Sequence, residues 1–491
     1  MVQQADTIKD KSLKSIKWVS LGVVLPKLIS PLTTIILANM LLPKDFGIIS
    51  ICTAFISFFN LIQGLGFTDY IIKEKEIEQQ TLYDAFWGNL GISIIFYLIL
   101  VLLSPILAHI YSSPVLLKVF PVLSLTLLIN AIGLVPNSLL KKSLKFKALF
   151  FIQFVPMFVN IMLVVPFAYF GYGIWSLVIG SLVQALLVNV LYIFTLKWKP
   201  RFYFNRTGFI KMFKFGKFVV VEQLMEFLYG NLDVLLIGYF LDLTVAGSYF
   251  LAKNWIQVIF NAINGSISNI IYPSLHHYKE DPNQIRIIFE NIEKRMIFLN
   301  LPIIVGTVLL APIAVTLFLP NKWENVSLII GIIVIGEGTI RNLSLQRDIF
   351  KIIDRPEIYP KAFIINLFFA VVSFPIAAKF GILAFCITRM LNDFLYTFIQ
   401  MKLVKKYIGF SFYSFFRISK YTLLSCLIMG IVLFFGIHIF KLYLQAINYY
   451  LFAILVIFGM VSYGVSYMLL DRLMFNELVG NLKVIVGLKK K

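Results

Sequence analysis

The chain has 491 residues, of which 59% are hydrophobic and only 14% charged, and its 44 basic and 24 acidic side chains give a net charge of +20. A soluble globular domain carries about 25% charged residues, and the outside of a soluble protein cannot accept this much apolar surface. The composition therefore excludes a water-soluble fold and indicates a protein embedded in lipid.

Side chains suited to metal binding or nucleophilic catalysis are few and scattered along the sequence. The three cysteines, Cys52, Cys386 and Cys426, each lie inside an apolar run without metal-ligand spacing. The four histidines form no H-E-x-x-H signature, and no glycine-rich phosphate loop is present in the sequence. The sequence therefore predicts neither a cofactor nor a metal site.

Hydropathy predicts an all-α polytopic membrane protein with about 14 transmembrane helices, because a spanning helix needs roughly 20 apolar residues. The first predicted span is too long to be the apolar core of a cleaved signal peptide. In chain order the predicted spans cover residues 18–42, 46–70, 84–109, 118–140, 149–169, 174–196, 214–240, 246–274, 296–319, 325–348, 361–379, 381–402, 420–440 and 447–470.

Basic residues concentrate on alternate loops between these spans. If the N-terminus lies in the cytoplasm, nearly all loop Lys and Arg residues fall on the cytoplasmic side, as the positive-inside rule requires. The even number of spans then places both termini in the cytoplasm of a bacterial cell, with the chain in its inner membrane. Basic residues on the cytoplasmic loops can contact anionic lipid headgroups. The positive charge therefore predicts a contact with lipid and no nucleic-acid partner.

The two halves of the sequence repeat each other. Three pairs of segments match in the same order: 36–47 with 236–247, 102–111 with 309–318, and 166–171 with 375–381. These matches predict an N-terminal six-helix bundle over residues 1–200, a C-terminal six-helix bundle over 201–410, and two additional helices with a basic tail over 411–491. Six is an even number, so the pseudo-symmetric bundles are parallel repeats, which suit alternating access with a substrate site between them.

Two motifs resemble a known family. The segment LANMLLPKDFG at 37–47 resembles the L-x-x-L-L-x-P-x-D-F-G opening of the bacterial polysaccharide transport family. The segments NLDVLLIGYFL at 231–241 and AGSYFLAKNW at 246–255 resemble the equivalent stretch of its second half, although Asp242-Leu243-Thr244 replaces the usual glycine-containing turn. This family contains Wzx-type O-antigen and capsule flippases and teichuronic acid exporters. It belongs to the multidrug/oligosaccharidyl-lipid/polysaccharide (MOP) exporter superfamily.

The resemblance implies a flippase, and not an enzyme. Its substrate would be an undecaprenyl-pyrophosphate-linked oligosaccharide repeat unit, moved from the inner to the outer leaflet for O-antigen of lipopolysaccharide, capsule or a similar polymer. H⁺ or Na⁺ as coupling ion and contact with the polysaccharide polymerase machinery are further expected partners. Two alternatives stay open: a small-molecule or drug exporter like the MATE branch, and a membrane-embedded glycosyltransferase or polymerase.

Ionisable residues within the predicted spans are candidates for the substrate site, because charges at that depth usually face a cavity or one another. A pyrophosphate needs fixed cations that hydrogen-bond its oxygens. Pro26 and Pro31 are expected to interrupt the first helix around its lysine, as in helices that line binding sites. The residues predicted to form this cationic cavity are Lys27, Lys253, Arg341 and Arg389.

Carboxylates within the spans are predicted either to couple transport to an ion or to pair with these cations. Three sets share a helix face at i,i+4 spacing, namely Glu222/Glu226, Glu337/Arg341 and Arg389/Asp393. Asp233 and Lys253 are each ten residues from Leu243, so a helical hairpin brings them to similar depth. Neutralised pairs that only fix helix packing are the alternative interpretation.

Polar uncharged side chains in the spans are predicted to contact sugar hydroxyls. The alternative is that they form hydrogen bonds between helices. The residues predicted in this role are Asn39, Asn60, Gln63, Asn264 and Asn269, with Ser266 and Ser268 beside them.

Overall fold

The structure is a computed structural model that describes residues 22, 25–26, 29–64, 66–74, 77–196, 198–264, 281–342, 346–355, 357–444 and 448–477. All regular secondary structure within these ranges is helical. The contacts divide the chain into two compact units, Met1–Leu251 and Ala252–Lys491. The division falls inside a helix, and the bundle boundaries expected near residues 200 and 410 stay predictions.

The N-terminal unit consists of long helices in antiparallel succession. Its helices are α1 (Ile29–Met40), α2 (Pro43–Gly64), α3 (Phe67–Lys73), α4 (Gln79–Ile110), α5 (Leu116–Lys142), α6 (Phe146–Tyr169), α7 (Ile174–Leu196), α8 (Arg206–Phe240) and the first part of α9 (Leu243–Asn264). The helix α5 packs against both α4 and α7, α6 packs against α7, and α2 packs against α8.

The C-terminal unit begins within α9 and is also helical throughout its described part. Its further helices are α10 (Pro282–Phe318), α11 (Asn325–Asn342), α12 (Gln346–Ile352), α13 (Ile358–Ala378), α14 (Ile382–Ile408), α15 (Phe412–Leu444) and α16 (Tyr449–Leu470), with a 3-10 turn at Asn321–Trp323. The helix α11 packs between α10 and α14, while α15 packs against α10 and α16.

Ten stretches of the described residues are long and apolar enough to cross a membrane, counting Pro43–Lys73 as one. The predicted spans not among these ten are 18–42, 214–240, 246–274 and 325–348. The described parts of the last three contain charged or amide residues that lower their mean hydropathy. The spans 18–42, 246–274 and 325–348 are each described only in part, the first of them mainly as the 12-residue α1.

An acidic residue lies at the start of each of the equivalent helices α2 and α9, although the repeat does not align the two residues. Asp45 in the first turn of α2 accepts a hydrogen bond from the backbone N–H of Leu42 at 3.0 Å. Asp242 precedes α9 and accepts from the backbone N–H groups of Thr244 and Val245 at 2.5 and 2.8 Å. Each carboxylate satisfies amide donors that a helix N-terminus leaves without partners and lies at the positive end of the helix dipole.

The glycines that the repeat aligns, Gly47 and Gly247, meet where α2 and α9 cross. A Cβ atom added at Gly47 would lie 1.8 Å from the carbonyl oxygen of Leu243, and one at Gly247 would lie 1.8 Å from that of Pro43. Only glycine therefore permits the two backbones to approach this closely.

The third matched pair of segments also has the same local geometry in both halves. Pro166 and Pro375 each lie three residues before the end of their helix, at Tyr169 and Ala378. The glycines that follow, Gly171 and Gly381, have φ angles of 82° and 95°. Positive φ reverses the chain after each helix at little cost for glycine, so the sequence repeat corresponds to a repeated turn.

The segment between α7 and α8 forms hydrogen bonds with the start of α4. Asp84 accepts a hydrogen bond from the backbone N–H of Asn205 at 2.6 Å, and the indole of Trp87 donates to the carbonyl of Arg201 at 2.8 Å. Phe67, Phe86 and Met212 belong to the apolar core beneath this segment. The core thereby holds the ends of α3, α4 and α8 together beside the cavity described below.

Candidate functional site

A cavity of about 470 Å³ in the N-terminal unit is lined by α2, α5, α6 and α7 together with the start of α3. Seven of its lining side chains are carboxamides, and we refer to it as the amide cavity. These residues are Asn60, Gln63, Asn130, Asn137, Gln153, Gln184 and Asn189. Thr68, Thr126, Ser181 and Tyr192 add hydroxyl groups, and no lining residue in the described part of the chain is Asp, Glu, Lys or Arg.

Helical periodicity places these amides on one face of each helix. Thr126, Asn130 and Asn137 follow one another at four and seven residues on α5, and Ser181, Gln184 and Asn189 do so at three and five on α7. Gly133 lies between the α5 amides, and a Cβ there would come within 2.3 Å of Asn189 Oδ1. The missing side chain therefore lets α7 place Asn189 directly against α5.

Two of these amides have a buried oxygen whose hydrogen-bonding capacity no described residue uses. Gln63 Oε1 and Asn189 Oδ1 are buried and accept no hydrogen bond from the described residues. Gln153 donates to Tyr192 Oη at 3.2 Å, and Asn160 donates to Gln184 Oε1 at 2.7 Å. A buried polar group without a partner costs about 1–3 kcal/mol, so a cavity with two such oxygens is suited to water or to a hydroxyl-rich ligand.

Of the predicted sugar-contacting residues, Asn60 and Gln63 line the amide cavity. Asn39 is exposed on α1, where its amide donates to the carbonyl of Ile35 at 2.9 Å. The side chain of Asn264 and the whole of Asn269, Ser266 and Ser268 lie outside the described residues. The sequence analysis did not predict the amides of α5, α6 and α7. The signal that could have identified them is the recurrence of polar residues every three to seven positions within apolar helices.

The predicted intramembrane charges of α11 and α14 form a buried cluster in the C-terminal unit. Arg389 Nε lies 3.2 Å from Asp393 Oδ1, and Arg389 Nη2 lies 3.3 Å from Glu337 Oε1. The side chains of Arg389 and Asp393 are 1% and 0% exposed. The predicted pairing of Arg389 with Asp393 is therefore present, and Glu337 joins it from the neighbouring helix.

A glycine brings the two helices of this charged cluster together. A Cβ atom at Gly336 would lie 2.6 Å from Asp393 Oδ2 and 3.1 Å from the Cα of Met390. The absence of a side chain at Gly336 thus allows α11 to place Glu337 against Arg389. The predicted partner of Glu337 on its own helix, Arg341, has its side chain outside the described part.

The remaining predicted charges are buried or lie outside the described residues. Asp233 on α8 is fully buried and accepts a hydrogen bond from Tyr249 Oη at 2.6 Å. Lys253 on α9 is buried, at 5% exposure, and its pairing with Asp233 stays a prediction. The whole of Lys27 and the side chains of Glu222 and Glu226 lie outside the described residues.

The fold is that of a known class of membrane transporters. The lipid II flippase MurJ in its inward closed conformation superposes with a TM-score of 0.66 over 96% of this chain and 98% of that one, at 17% identity. The inward-facing structure of a MATE family multidrug transporter of the MOP superfamily superposes with a TM-score of 0.62 over 80% of this chain and 98% of its own, at 12% identity. The chain therefore has the fold of these transporters, and its ten described apolar helices are long enough for a multi-pass membrane protein.

A family model described as "Polysaccharide biosynthesis protein" matches residues 36–328. This chain belongs to that family, which confirms the resemblance predicted from the two motifs. It is 23% identical to the lipopolysaccharide biosynthesis protein WzxC of Escherichia coli over 87% of this chain and 89% of that protein. It is 24% identical to the teichuronic acid biosynthesis protein TuaB of Bacillus subtilis over 67% and 69% of the two chains. It is also 24% identical to the succinoglycan biosynthesis transport protein ExoT of Rhizobium meliloti over 63% and 62%.

Proposed function

We propose that this chain is a flippase that moves an undecaprenyl-pyrophosphate-linked oligosaccharide repeat unit from the inner to the outer leaflet of the cytoplasmic membrane. The oligosaccharide then serves the synthesis of a surface polysaccharide such as O-antigen or capsule. The observation that carries the proposal is the uncharged amide cavity among membrane-spanning helices. Family membership supports it, and the named relatives belong to the biosynthesis of three different polysaccharides.

The chemistry of the amide cavity matches that of a sugar. Each sugar hydroxyl both donates and accepts a hydrogen bond, and each carboxamide offers two donors and an oxygen with two lone pairs. The amides carry no charge, so binding an uncharged sugar does not require an ion to lose its hydration. The volume of about 470 Å³ falls within the range of small-molecule sites, about 300–1,000 Å³.

The pyrophosphate needs cationic contacts, which we assign to Lys27, Lys253 and Arg341 in the proposed mechanism. Arg389 belongs to the same proposed set, but two carboxylates already contact it in this conformation. It would therefore meet a phosphate only after the charged cluster opens. Asp233, Glu222 and Glu226 are proposed coupling groups for an H⁺ or Na⁺ gradient.

The proposed transport cycle is alternating access between the two repeats, in a chain of 14 spans with both termini in the cytoplasm. The close crossing of α2 and α9 at Gly47 and Gly247 supports it, because equivalent helices of the two repeats touch there. Anionic lipids around the basic loops and the polymerase that receives the flipped unit are proposed partners. A drug exporter for organic cations would need carboxylates in its cavity, and the described lining of the amide cavity has none.

The test is deletion of the gene followed by measurement of surface polysaccharide and of undecaprenyl-linked intermediates by mass spectrometry. We expect the deletion to abolish the polymer and to accumulate the lipid-linked repeat unit on the cytoplasmic side. Restoring the gene should reverse both effects. Normal polymer without accumulated intermediate would refute the flippase proposal.

Variants of the amide cavity then connect the transport to the site. The double variant Asn130→Leu/Asn137→Leu removes two amides from the cavity and should lower surface polymer about tenfold, which corresponds to roughly 1.4 kcal/mol of lost hydrogen bonding. The control is Thr195→Val on α7, an exposed hydroxyl that donates only to the Leu191 carbonyl of its own helix. Equal membrane abundance of all variants is verified by immunoblot.

A further inference from the structure

A carboxyl group in the C-terminal unit is buried without any partner among the described residues. Glu293 on α10 is 0% exposed, and neither of its side-chain oxygens accepts a hydrogen bond or lies in an ion pair there. Glu293 plays no part in the mechanism above. The sequence analysis placed it in a cytoplasmic loop, but α10 extends from Pro282 to Phe318 and contains it.

The cations nearest to Glu293 along α10 are engaged by other carboxylates. Lys294 Nζ lies 2.7 Å from Asp471 Oδ2, and Arg295 pairs with Glu477. One turn earlier, Arg286 and Arg417 both contact Glu290, at 3.1 and 2.8 Å. Glu290, Asp471 and Glu477 are thus each compensated, whereas no described cation pairs with Glu293.

Among the described side chains, the helices packed against α10 add no cation for Glu293; the side chain of Arg341 on α11 lies outside the described residues. On α11 and α14, Glu337, Arg389 and Asp393 contact one another. On α15, besides Arg417, Lys420 Nζ lies 4.5 Å from the ring centre of Tyr421. On α16, Tyr463 donates its hydroxyl to the carbonyl of Phe298 at 2.7 Å. The further basic residues of α14 are Lys402, Lys405 and Lys406, all exposed.

A second unpartnered polar group lies on the same face of α10. Asn300 follows Glu293 by seven residues, which is two helical turns or about 10 Å along the axis. Asn300 is also 0% exposed, and neither its Nδ2 nor its Oδ1 has a partner among the described residues. The two side chains lie on a face of α10 that also carries the buried apolar residues Met296 and Ile304.

We propose that Glu293 is a proton-binding site of the transporter, occupied in this conformation and emptied in another, with Asn300 on the path of the proton. An ionised carboxylate that is fully buried and unpaired is strongly unfavourable, whereas the neutral acid tolerates such surroundings. A conformation that hydrates Glu293 releases the proton from its hydroxyl to water. The further step, that binding and release of this proton drive transport, rests on the proposed transport function and makes H⁺ the coupling ion.

The first experiment measures the bound proton directly and needs no substrate. Infrared spectra of the purified full chain in lipid should contain the carbonyl band of a protonated carboxyl group at pH 7, where an exposed glutamate is ionised. Glu293→Gln, which copies the shape of the neutral acid, should remove that band. The matched control Glu290→Gln, one turn away on the same helix, should keep it. A band absent from the wild type or unchanged by Glu293→Gln would overturn the proposal.

The second experiment measures coupling in the deletion strain complemented with each variant. Glu293→Gln should lower surface polymer about tenfold at unchanged membrane abundance and should accumulate the lipid-linked intermediate, whereas Glu290→Gln should not. Normal export by a variant that has lost the infrared band would overturn the coupling role. Failure of the flippase proposal is distinguishable, because it appears as normal polymer in the deletion strain itself.

Discussion

The amide cavity of the N-terminal unit and the charged cluster of the C-terminal unit bury polar side chains in opposite ways. In the N-terminal unit, seven carboxamides line the amide cavity, and two of them, Gln63 and Asn189, have a buried oxygen without a described partner. In the C-terminal unit, Arg389 is closed in by Asp393 and Glu337 with almost no exposure. A neutral amide without a partner costs a few kcal/mol at most, but a buried charge without a partner costs far more. Amides can therefore keep unpartnered hydrogen-bonding atoms for a ligand, whereas a buried charge must be compensated by another charge of the protein.

The largest effect is expected at the charged cluster. Arg389→Met leaves two carboxylates buried without their guanidinium and should lower the free energy of unfolding by about 3–5 kcal/mol. Thermal unfolding of the purified protein in detergent measures this loss. The double variant Arg389→Met/Asp393→Leu should recover a large part of it, because the buried charge is removed together with its partner. Equal stability of the single and double variants would contradict compensation within the cluster.

The next largest effect is expected where α2 and α9 cross, in comparison with a glycine that has no close neighbour. Gly47→Ala places a methyl group against the carbonyl of Leu243 and should destabilise the protein by about 1–3 kcal/mol. Gly91→Ala is the matched control, because nothing lies within 4 Å of that position on α4. Alanine there should stabilise the helix by about 0.5–1 kcal/mol. Similar unfolding temperatures for both variants would argue against the close approach.

The amide cavity should respond differently to the loss of a polar side chain. Asn189→Leu replaces a buried amide whose Oδ1 has no partner among the described residues. We expect the free energy of unfolding to change by less than about 1 kcal/mol, while surface polysaccharide falls several-fold. A variant that loses function at constant stability identifies a binding group, since a packing group loses both. Unfolding temperature and polymer yield, measured on the same variant, decide between the two roles.

The smallest effect is expected at the exposed ion pairs. Arg295 and Glu477 are 43% and 51% exposed, so water screens their attraction. Arg295→Gln should therefore lower the free energy of unfolding by about 0.5 kcal/mol or less. The change should shrink further in high salt. A loss as large as that of Arg389→Met would show that burial does not separate the two kinds of ion pair.

Much of the architecture follows from residue spacing and apolar length alone. The positions of the long helices were predictable because each needs an apolar run of sufficient length. The repeat was predictable because Gly47 and Gly247, and Pro166 and Pro375, recur in order with the same local role. The pairing of Arg389 with Asp393 was predictable because residues four apart share a helix face.

The candidate site was predictable only in part. Asn60 and Gln63 were found because they interrupt an apolar span, whereas the amides of α5, α6 and α7 belong to spans that stay apolar in spite of them. Their common cavity depends on which helix faces meet, and hydropathy does not contain that information. The sequence analysis predicted a substrate cavity lined by cations, whereas the described lining of the amide cavity is uncharged.

The sequence by itself determined the membrane environment, the helical class, the internal repeat and the family, because these depend on composition, period and motif along one chain. Only the tertiary structure decided that five helices line an amide cavity, that Glu337 joins Arg389 across two helices, and that Glu293 is buried without a cation among the described residues. Each of these depends on contacts between residues far apart in sequence. In a membrane protein such contacts arise from close packing at glycines and from compensation of buried polar groups, which no single helix reveals alone.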